Sequence, residues 1–416
     1  MHALPKRSTI LFLSLLLSQV ALAQTEPRLG VNTTTPQHTL DVNGAINIAP
    51  DSAYQIDGTP VLQTQVVNGF TNLFLGPEAG QSNTTGNRNH FSGFQAGTAN
   101  TTGNRNHFVG FRAGASNTTG RENYFSGFQA GEANTTGEQN YFSGNRAGLN
   151  NTTGNFNHFV GYLVGISNST GNQNYFSGYA AGLGNSTGEQ NHFSGYLAGR
   201  DNTTGNQNVY IGFQAGLNGN HTNAIAIGYQ ARARGDNTVT IGNSSMTSIG
   251  GAVGWSQVSD GRFKREVAED VPGLDFVTRL RPVSYQVDRA ALQAFLKGED
   301  VENGNTAQEQ PRETGFIAQE VEEVSQALGY QFNGIIQPQS ENDHYQLSYA
   351  TFVVPLVQAV QEQQELIEAL QAENARLTKE NTSQQTQLDQ LGSLQQRLQA
   401  LENIVNLPTE ASASNQ

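Results

Sequence analysis

A serine and a lysine stand five residues apart in Ser259-Asp260-Gly261-Arg262-Phe263-Lys264, where a glycine- and asparagine-rich repeat array gives way to ordinary mixed sequence. The hydroxyl of a serine lies beside the carbonyl of the residue before it and can attack that carbonyl at very high effective concentration. Such a reaction needs little more than a base to take the hydroxyl proton and donors to hold the oxyanion. A lysine is a base only when neutral, and bringing a lysine pKa from ~10.4 to about 7 costs roughly 4–5 kcal/mol of desolvation or charge repulsion. Arg262 and Arg265 are close enough in sequence to add repulsion, with burial at a subunit interface adding the rest. Residues at this spacing share neither a helix face nor a strand face. A turn at Gly261 or a neighbouring subunit must therefore bring the two together. The plain alternative is a helix-cap or linker pair with no chemistry, and Asp260 and Arg262 read more readily as structural than as catalytic.

The chain around this hexapeptide has 416 residues, 36% apolar, with 46 glycines, so much of it cannot form an ordinary globular core. Its 35 acidic and 22 basic residues give a net charge of -13, which argues against a nucleic-acid partner. Cysteine is absent, which removes disulfides, thiolate metal sites and cysteine nucleophiles together. No cofactor or metal is expected. Residues 1–23 have the form of a secretory signal peptide: Lys6 and Arg7, a short apolar run from Ile10 to Leu17, then Ala21-Leu22-Ala23. The run is too short to span a membrane. A secreted or cell-surface protein with no transmembrane segment in its mature form is expected.

Residues 24–70 alternate short apolar segments with turn residues and read as a β region. Residues 71–250 are repeats. From Asn83 the period is 17, with Asn100, Asn117, Asn134, Asn151, Asn168, Asn185 and Asn202 opening successive units and a half unit, Asn72–Gly76, before them. Units so short and so rich in Asn-x-Thr-Gly turns are coils of a β-solenoid or β-roll rather than helical hairpins. Stacking would make an asparagine turn ladder and an aromatic column of Phe91, Phe108, Phe125, Phe142, Phe159, Phe176, Phe193 and Tyr210. Whether that column or the flanking His/Tyr and Ser/Val columns point inward stays open, because a one-residue shift exchanges the faces. His90, His107, His158 and His192 share a column with Tyr124, Tyr141 and Tyr175, which favours structural stacking over a metal ladder or pH sensor. The Asn-x-Thr sequons are read as turns rather than glycan acceptors.

After Gly216 the units shorten. Asn223-Ala224-Ile225-Ala226-Ile227-Gly228 and Asn237-Thr238-Val239-Thr240-Ile241-Gly242 resemble the left-handed β-roll repeats of trimeric autotransporter adhesin heads, which implies a trimeric surface fibre. Further on, the serine motif is followed by Gly273-Leu274-Asp275-Phe276-Val277, Leu280-Arg281-Pro282-Val283-Ser284-Tyr285, Gly315-Phe316-Ile317-Ala318-Gln319-Glu320-Val321 and Leu347-Ser348-Tyr349. These blocks resemble the intramolecular chaperone auto-processing family found at the ends of phage endosialidases and tail fibres. The resemblance implies a domain that helps three chains assemble and then cuts itself off between Val258 and Ser259, with Ser259 as nucleophile and Lys264 as general base. Asp260, Arg262, Gln319 and Glu320 are candidate supporting residues; the alternative for Gln319 and Glu320 is packing along a helix against its neighbour.

From Val360 core positions recur by three and four through Gln363, Ile367, Leu370, Asn374, Leu377, Asn381, Gln384, Leu388 and Leu391, a heptad seam whose polar members suit parallel association. A stammer is expected at Gly392. The expected fold is mostly β: a β-solenoid fibre (71–250), a small α+β chaperone domain (256–354), a parallel coiled coil (355–405) and a disordered tail (406–416). The expected function is an exported homotrimeric fibre with a self-cleaving chaperone, its partners being itself and a surface glycan or other host-surface ligand. A non-catalytic adhesin that keeps its C-terminal domain and a phage receptor-binding fibre are the alternatives.

Overall fold

A chain that repeats every 17 residues satisfies its backbone by bonding each repeat to the next. The computed structural model describes residues 29–31, 40–42, 44, 52–297, 311–339 and 343–405, so the expected signal peptide and tail lie outside the described residues. The chain divides into two units, Met1–Asn243 and Ser244–Gln416.

In the first unit, β1 (Leu29–Val31) pairs in parallel with β2 (Leu40–Val42). An antiparallel meander of β3 (Ala53–Ile56), β4 (Thr59–Val67) and β5 (Phe70–Leu75) follows. Its turns, Asp57-Gly58 and Asn68-Gly69, hold both residues at positive φ, the conformation that tight hairpins demand. The half unit expected before the first full repeat is the last part of β5, which pairs in parallel with β6 (His90–Ser92), Phe74 opposite Phe91. The same register repeats through β7 (His107–Val109), β8 (Tyr124–Ser126), β9 (Tyr141–Ser143), β10 (His158–Val160), β11 (Tyr175–Ser177) and β12 (His192–Ser194). The coils then shorten through β13 (Val209–Ile211), β14 (Ile225–Ile227) and β15 (Val239–Ile241). With β3–β5, these strands make one 13-stranded sheet among the described residues.

Burial resolves which face is inside. The phenylalanine column is fully buried, backed by Ala96, Ala113, Ala130 and their successors, whereas the His/Tyr and Ser/Val columns stay half-buried or exposed. Successive rings from Phe91 to Phe193 lie within 9° of parallel, with centroids 4.8–4.9 Å apart. That spacing exceeds van der Waals contact between faces, roughly 3.5 Å, so the rings are slipped in the offset arrangement that aromatic pairs prefer. Close packing leaves no room for a side chain at Gly131, where a Cβ would sit 2.6 Å from the Phe125 ring; its φ of +57° adds strain for any other residue.

The asparagines do more than turn the chain. The Nδ2 of Asn117 donates to Asn100 Oδ1 of the preceding coil at 2.8 Å and to its own Gly120 carbonyl at 3.0 Å. A second column accepts from the backbone: Asn123 N–H donates to Asn106 Oδ1 at 3.0 Å, while Asn123 Nδ2 donates to the Gly137 carbonyl at 2.8 Å. All these side chains are buried, so each amide replaces water that the interior excludes. The sequon asparagines that open the 17-residue units, Asn83 to Asn202, are thereby buried in the folded chain. A second aromatic column, Phe94, Phe111 and Phe128, then Tyr162, Tyr179, Tyr196 and Phe213, stacks on the outside and is interrupted at Asn145.

The second unit contains α1 (Leu274–Val277), β16 (Val283–Tyr285), α2 (Arg289–Lys297), β17 (Glu313–Gly315), α3 (Ala318–Ala327), β18 (Ile335–Ile336), β19 (Gln346–Leu347) and α4 (Val353–Val405). The strands pair as two antiparallel ribbons, β16 with β17 and β18 with β19. Its core is Phe276, Val321, Phe332 and Phe352, with Phe316 and Tyr330 packed against them. The 53 residues of α4 continue through Gly392 without a break and span about 80 Å. Beyond its first turns the apolar seam faces solvent, with Ile367 41% and Leu370 62% exposed. A lone helix gains nothing from such a stripe, which is the pattern of a coiled-coil helix. Among the described residues no helix is long and apolar enough to cross a membrane.

His90 and His107 face each other on the outer surface, their Nδ1 atoms 3.2 Å apart. Burial first, and the neighbouring His90 second, hold the His107 imidazole below its ordinary value; burial does the same for His158. The fold therefore resists protonation that the unfolded chain accepts, so this contribution to stability is complete above ~6.5 and lost as pH falls below it. The thermal midpoint is expected to fall between pH 7.5 and 5. His107→Tyr, which places in the column a residue it already carries at Tyr124, is expected to reduce that fall when both proteins are followed by circular dichroism.

Candidate active site

Asp260 is extended, with φ -74° and ψ 124°, and its carboxylate accepts the Arg262 backbone N–H at 2.9 Å. One turn of 3-10 helix, Gly261–Phe263, follows, and the chain leaves it extended at Lys264. The reversal carries Lys264 Nζ to 3.0 Å from Ser259 Oγ, where it donates a hydrogen bond. The turn anticipated at Gly261 is thus sufficient for the approach, and Asp260, not Ser259, takes the capping position.

Asp260 also grips the Arg262 guanidinium, with Nε 2.9 Å and Nη2 2.6 Å from Oδ2. That contact holds the Asp260 carboxyl below its usual range and raises Arg262. The charge repulsion expected from Arg262 is accordingly offset by its own carboxylate partner. Arg265 Nη1 donates to the carbonyls of Arg262 and Lys264 at 2.8 and 3.0 Å, which leaves its cation beside the turn.

The turn buries nothing: Val258 is 88% and Phe263 72% exposed, and no residue of the 3-10 turn is buried. Among the described residues no donor bonds to the Val258 carbonyl oxygen. A hydroxyl and an amine are in contact, but among the described residues there is neither a water-excluding wall nor an oxyanion hole around them. Gln319 and Glu320 do not complete it. Gln319 is exposed on α3, and Glu320 is engaged by the Arg281 guanidinium, which its carboxylate raises. Neither hydrogen-bonds to Ser259 or Lys264.

What steadies the unit lies farther along the chain, where sequence reading gave no signal. Glu362 on α4 accepts the Leu274 N–H at 2.7 Å, and this bond is the first cause of its lowered pKa. The carboxylate therefore satisfies the first turn of α1, a place where anions are favoured. Gly273 permits the approach, since a Cβ would stand 2.7 Å from the Ala359 backbone nitrogen and 2.6 Å from Glu362 Oε1. The Tyr349 hydroxyl accepts the Phe316 N–H at 3.0 Å, fastening the Leu347-Ser348-Tyr349 block to the start of the Phe316–Val321 block.

The molecule is thus a β-solenoid followed by a small α/β unit that ends in one long helix with an unpartnered seam. Residues 259–330 match the family model described as chaperone of endosialidase, a peptidase family, and the match begins at Ser259. Together with the solenoid, this supports a trimeric fibre with a C-terminal chaperone. No curated protein and no solved structure matches the chain. The core extends past the matched stretch, through Phe332 and Phe352.

Gly273→Ala is expected to force α1 away from α4 and to destabilise the second unit by about 1–3 kcal/mol, as overpacking does. Urea unfolding followed by tryptophan-independent circular dichroism at the helical band measures it. An unchanged midpoint would show that this close approach contributes nothing.

Proposed function

We propose that the chain is an exported homotrimeric fibre whose C-terminal unit brings three chains into register and then releases itself by one cut between Val258 and Ser259. The observation that carries this reading is the 3.0 Å contact between Lys264 Nζ and Ser259 Oγ at the first residue of the chaperone-of-endosialidase match. In the proposed reaction neutral Lys264 takes the hydroxyl proton as Ser259 Oγ attacks the Val258 carbonyl carbon. The tetrahedral intermediate collapses with the Ser259 nitrogen as leaving group, which receives the proton back from Lys264. Water then hydrolyses the ester that joins Val258 to Ser259 Oγ, giving a carboxylate at Val258 and a free amino group at Ser259.

The exposure of the turn gives this chemistry its timing. The turn is open to water, and an oxyanion with no donor is unstabilised. Packing of three chains around the turn would supply both exclusion of water and the missing donors. In this account cleavage follows assembly, and the helix seam of α4 provides the assembly. Once the chaperone unit has gone, the fibre cannot easily refold, so its persistence is a matter of unfolding rate rather than equilibrium.

On a denaturing gel the purified protein is expected to give two fragments, with the smaller beginning at Ser259 by N-terminal sequencing. Ser259→Ala is expected to leave one full-length band. Lys264→Ala should slow cleavage by about 10²–10⁴-fold, the usual contribution of a positioned base, and Lys264→Arg should not restore it. A single full-length band in the wild type would favour the reading as an adhesin or structural fibre that retains its C-terminal unit.

A further inference from the structure

The second unspecified position after each Asn-x-Thr-Gly turn forms a column of its own: Arg88, Arg105, Glu122, Gln139, Phe156, Gln173, Gln190 and Gln207, all at φ between 55° and 59°. Every member is charged or an amide except Phe156. Left-handed backbone is costly for a bulky side chain, and Phe156 recovers little by packing. It is 57% exposed, and among the described residues no aromatic ring stacks on it, unlike the rings of the outer column from Phe94 to Phe128. Fold stability gives no reason for a phenylalanine here.

Phe156 lines a groove of roughly 720 Å³ that runs across several coils. Along one side stand Thr136, Thr153 and Thr170, whose hydroxyls hydrogen-bond to nothing among the described residues. The column beside them carries Glu138 and Glu189 on either side of two asparagines. Arg121 Nε engages one oxygen of Glu138 at 2.8 Å, and Asn172 Nδ2 engages one oxygen of Glu189 at 2.8 Å. Each carboxylate keeps its other oxygen without a partner among the described residues. Coils repeat at the spacing of paired strands, so the four positions from Glu138 to Glu189 extend over roughly 14 Å.

We infer that this groove binds a neutral oligosaccharide. A sugar ring offers an apolar face of C–H groups and a rim of hydroxyls, and the groove offers an uncovered aromatic ring with hydroxyl, amide and carboxylate groups at a regular spacing. Specificity in such a site comes from a few placed polar groups around an apolar platform. The two carboxylates, on a chain of net charge -13, disfavour uronic, sialic or sulfated sugars. The outer column from Phe94 does not offer the same platform, because its rings stack on one another and present edges. This inference is independent of self-cleavage: the groove lies wholly within the solenoid and is the same in the cut and uncut chain.

The test is saturation-transfer NMR of the full chain with cellotriose, chitotriose, mannotriose and galactotriose, with trigalacturonate as the acidic comparison. Transfer to at least one neutral trisaccharide is expected, and none to trigalacturonate. Phe156→Gln, which installs the residue found one coil before and one coil after, is expected to weaken binding by at least about tenfold, whereas Phe156→Tyr should retain it. Unchanged circular dichroism of both variants would confirm that the solenoid is intact. No transfer to any neutral sugar, undiminished binding by Phe156→Gln, or equal binding of trigalacturonate would each overturn the inference.

Discussion

The hydrogen-bonded ladder between coils is the interaction on which the rest of this molecule depends, and its weakness is its own regularity. Each coil offers the next the same buried asparagine, the same phenylalanine and the same run of backbone donors and acceptors. Within one chain the covalent connection fixes which coil follows which. Between chains nothing comparable does so, because a slip of one whole coil restores almost every like-on-like contact. A fibre made from several such chains needs a register set from outside the repeats.

The second unit is suited to that task for physical reasons. Its aromatic core is small but complete, and α4 is anchored to it through Glu362, Gly273 and Phe352 before it extends with its seam uncovered. Heptads with asparagines among the apolar positions accept fewer alignments than a uniform seam does. In the proposed assembly the same event that sets register also encloses the Ser259 turn, so a site that is open in one chain becomes dry in three. Under that proposal the cut waits for assembly.

Much of this was legible in the sequence. Period and turn chemistry gave the solenoid, and the four aromatic and glycine blocks gave the chaperone resemblance, because both signals are local or repeated. Orientation was not legible: His90-Phe91-Ser92 alternates in a way that fits either face, and only packing against Ala96 and Gly97 puts the phenylalanine inside. The asparagines looked like turn residues, and their burial depends on coils 17 residues away. Contacts such as Glu362 with Leu274, 88 residues apart, leave no periodic trace. At the serine motif the sequence supplied the pair and the need for a turn. It did not reveal that Asp260 would offset the Arg262 charge, since that contact depends on the turn being formed.

If assembly completes the site, cleavage must depend on how often chains meet. The most direct measurement is the rate of cleavage after dilution from denaturant, followed over a hundredfold range of protein concentration. The account predicts a rate that rises with concentration at the dilute end and levels off once association is no longer limiting, with uncut chain persisting at the lowest concentrations. A first-order rate that is the same at every concentration would contradict it, because the exposed turn of a single chain would then be competent alone.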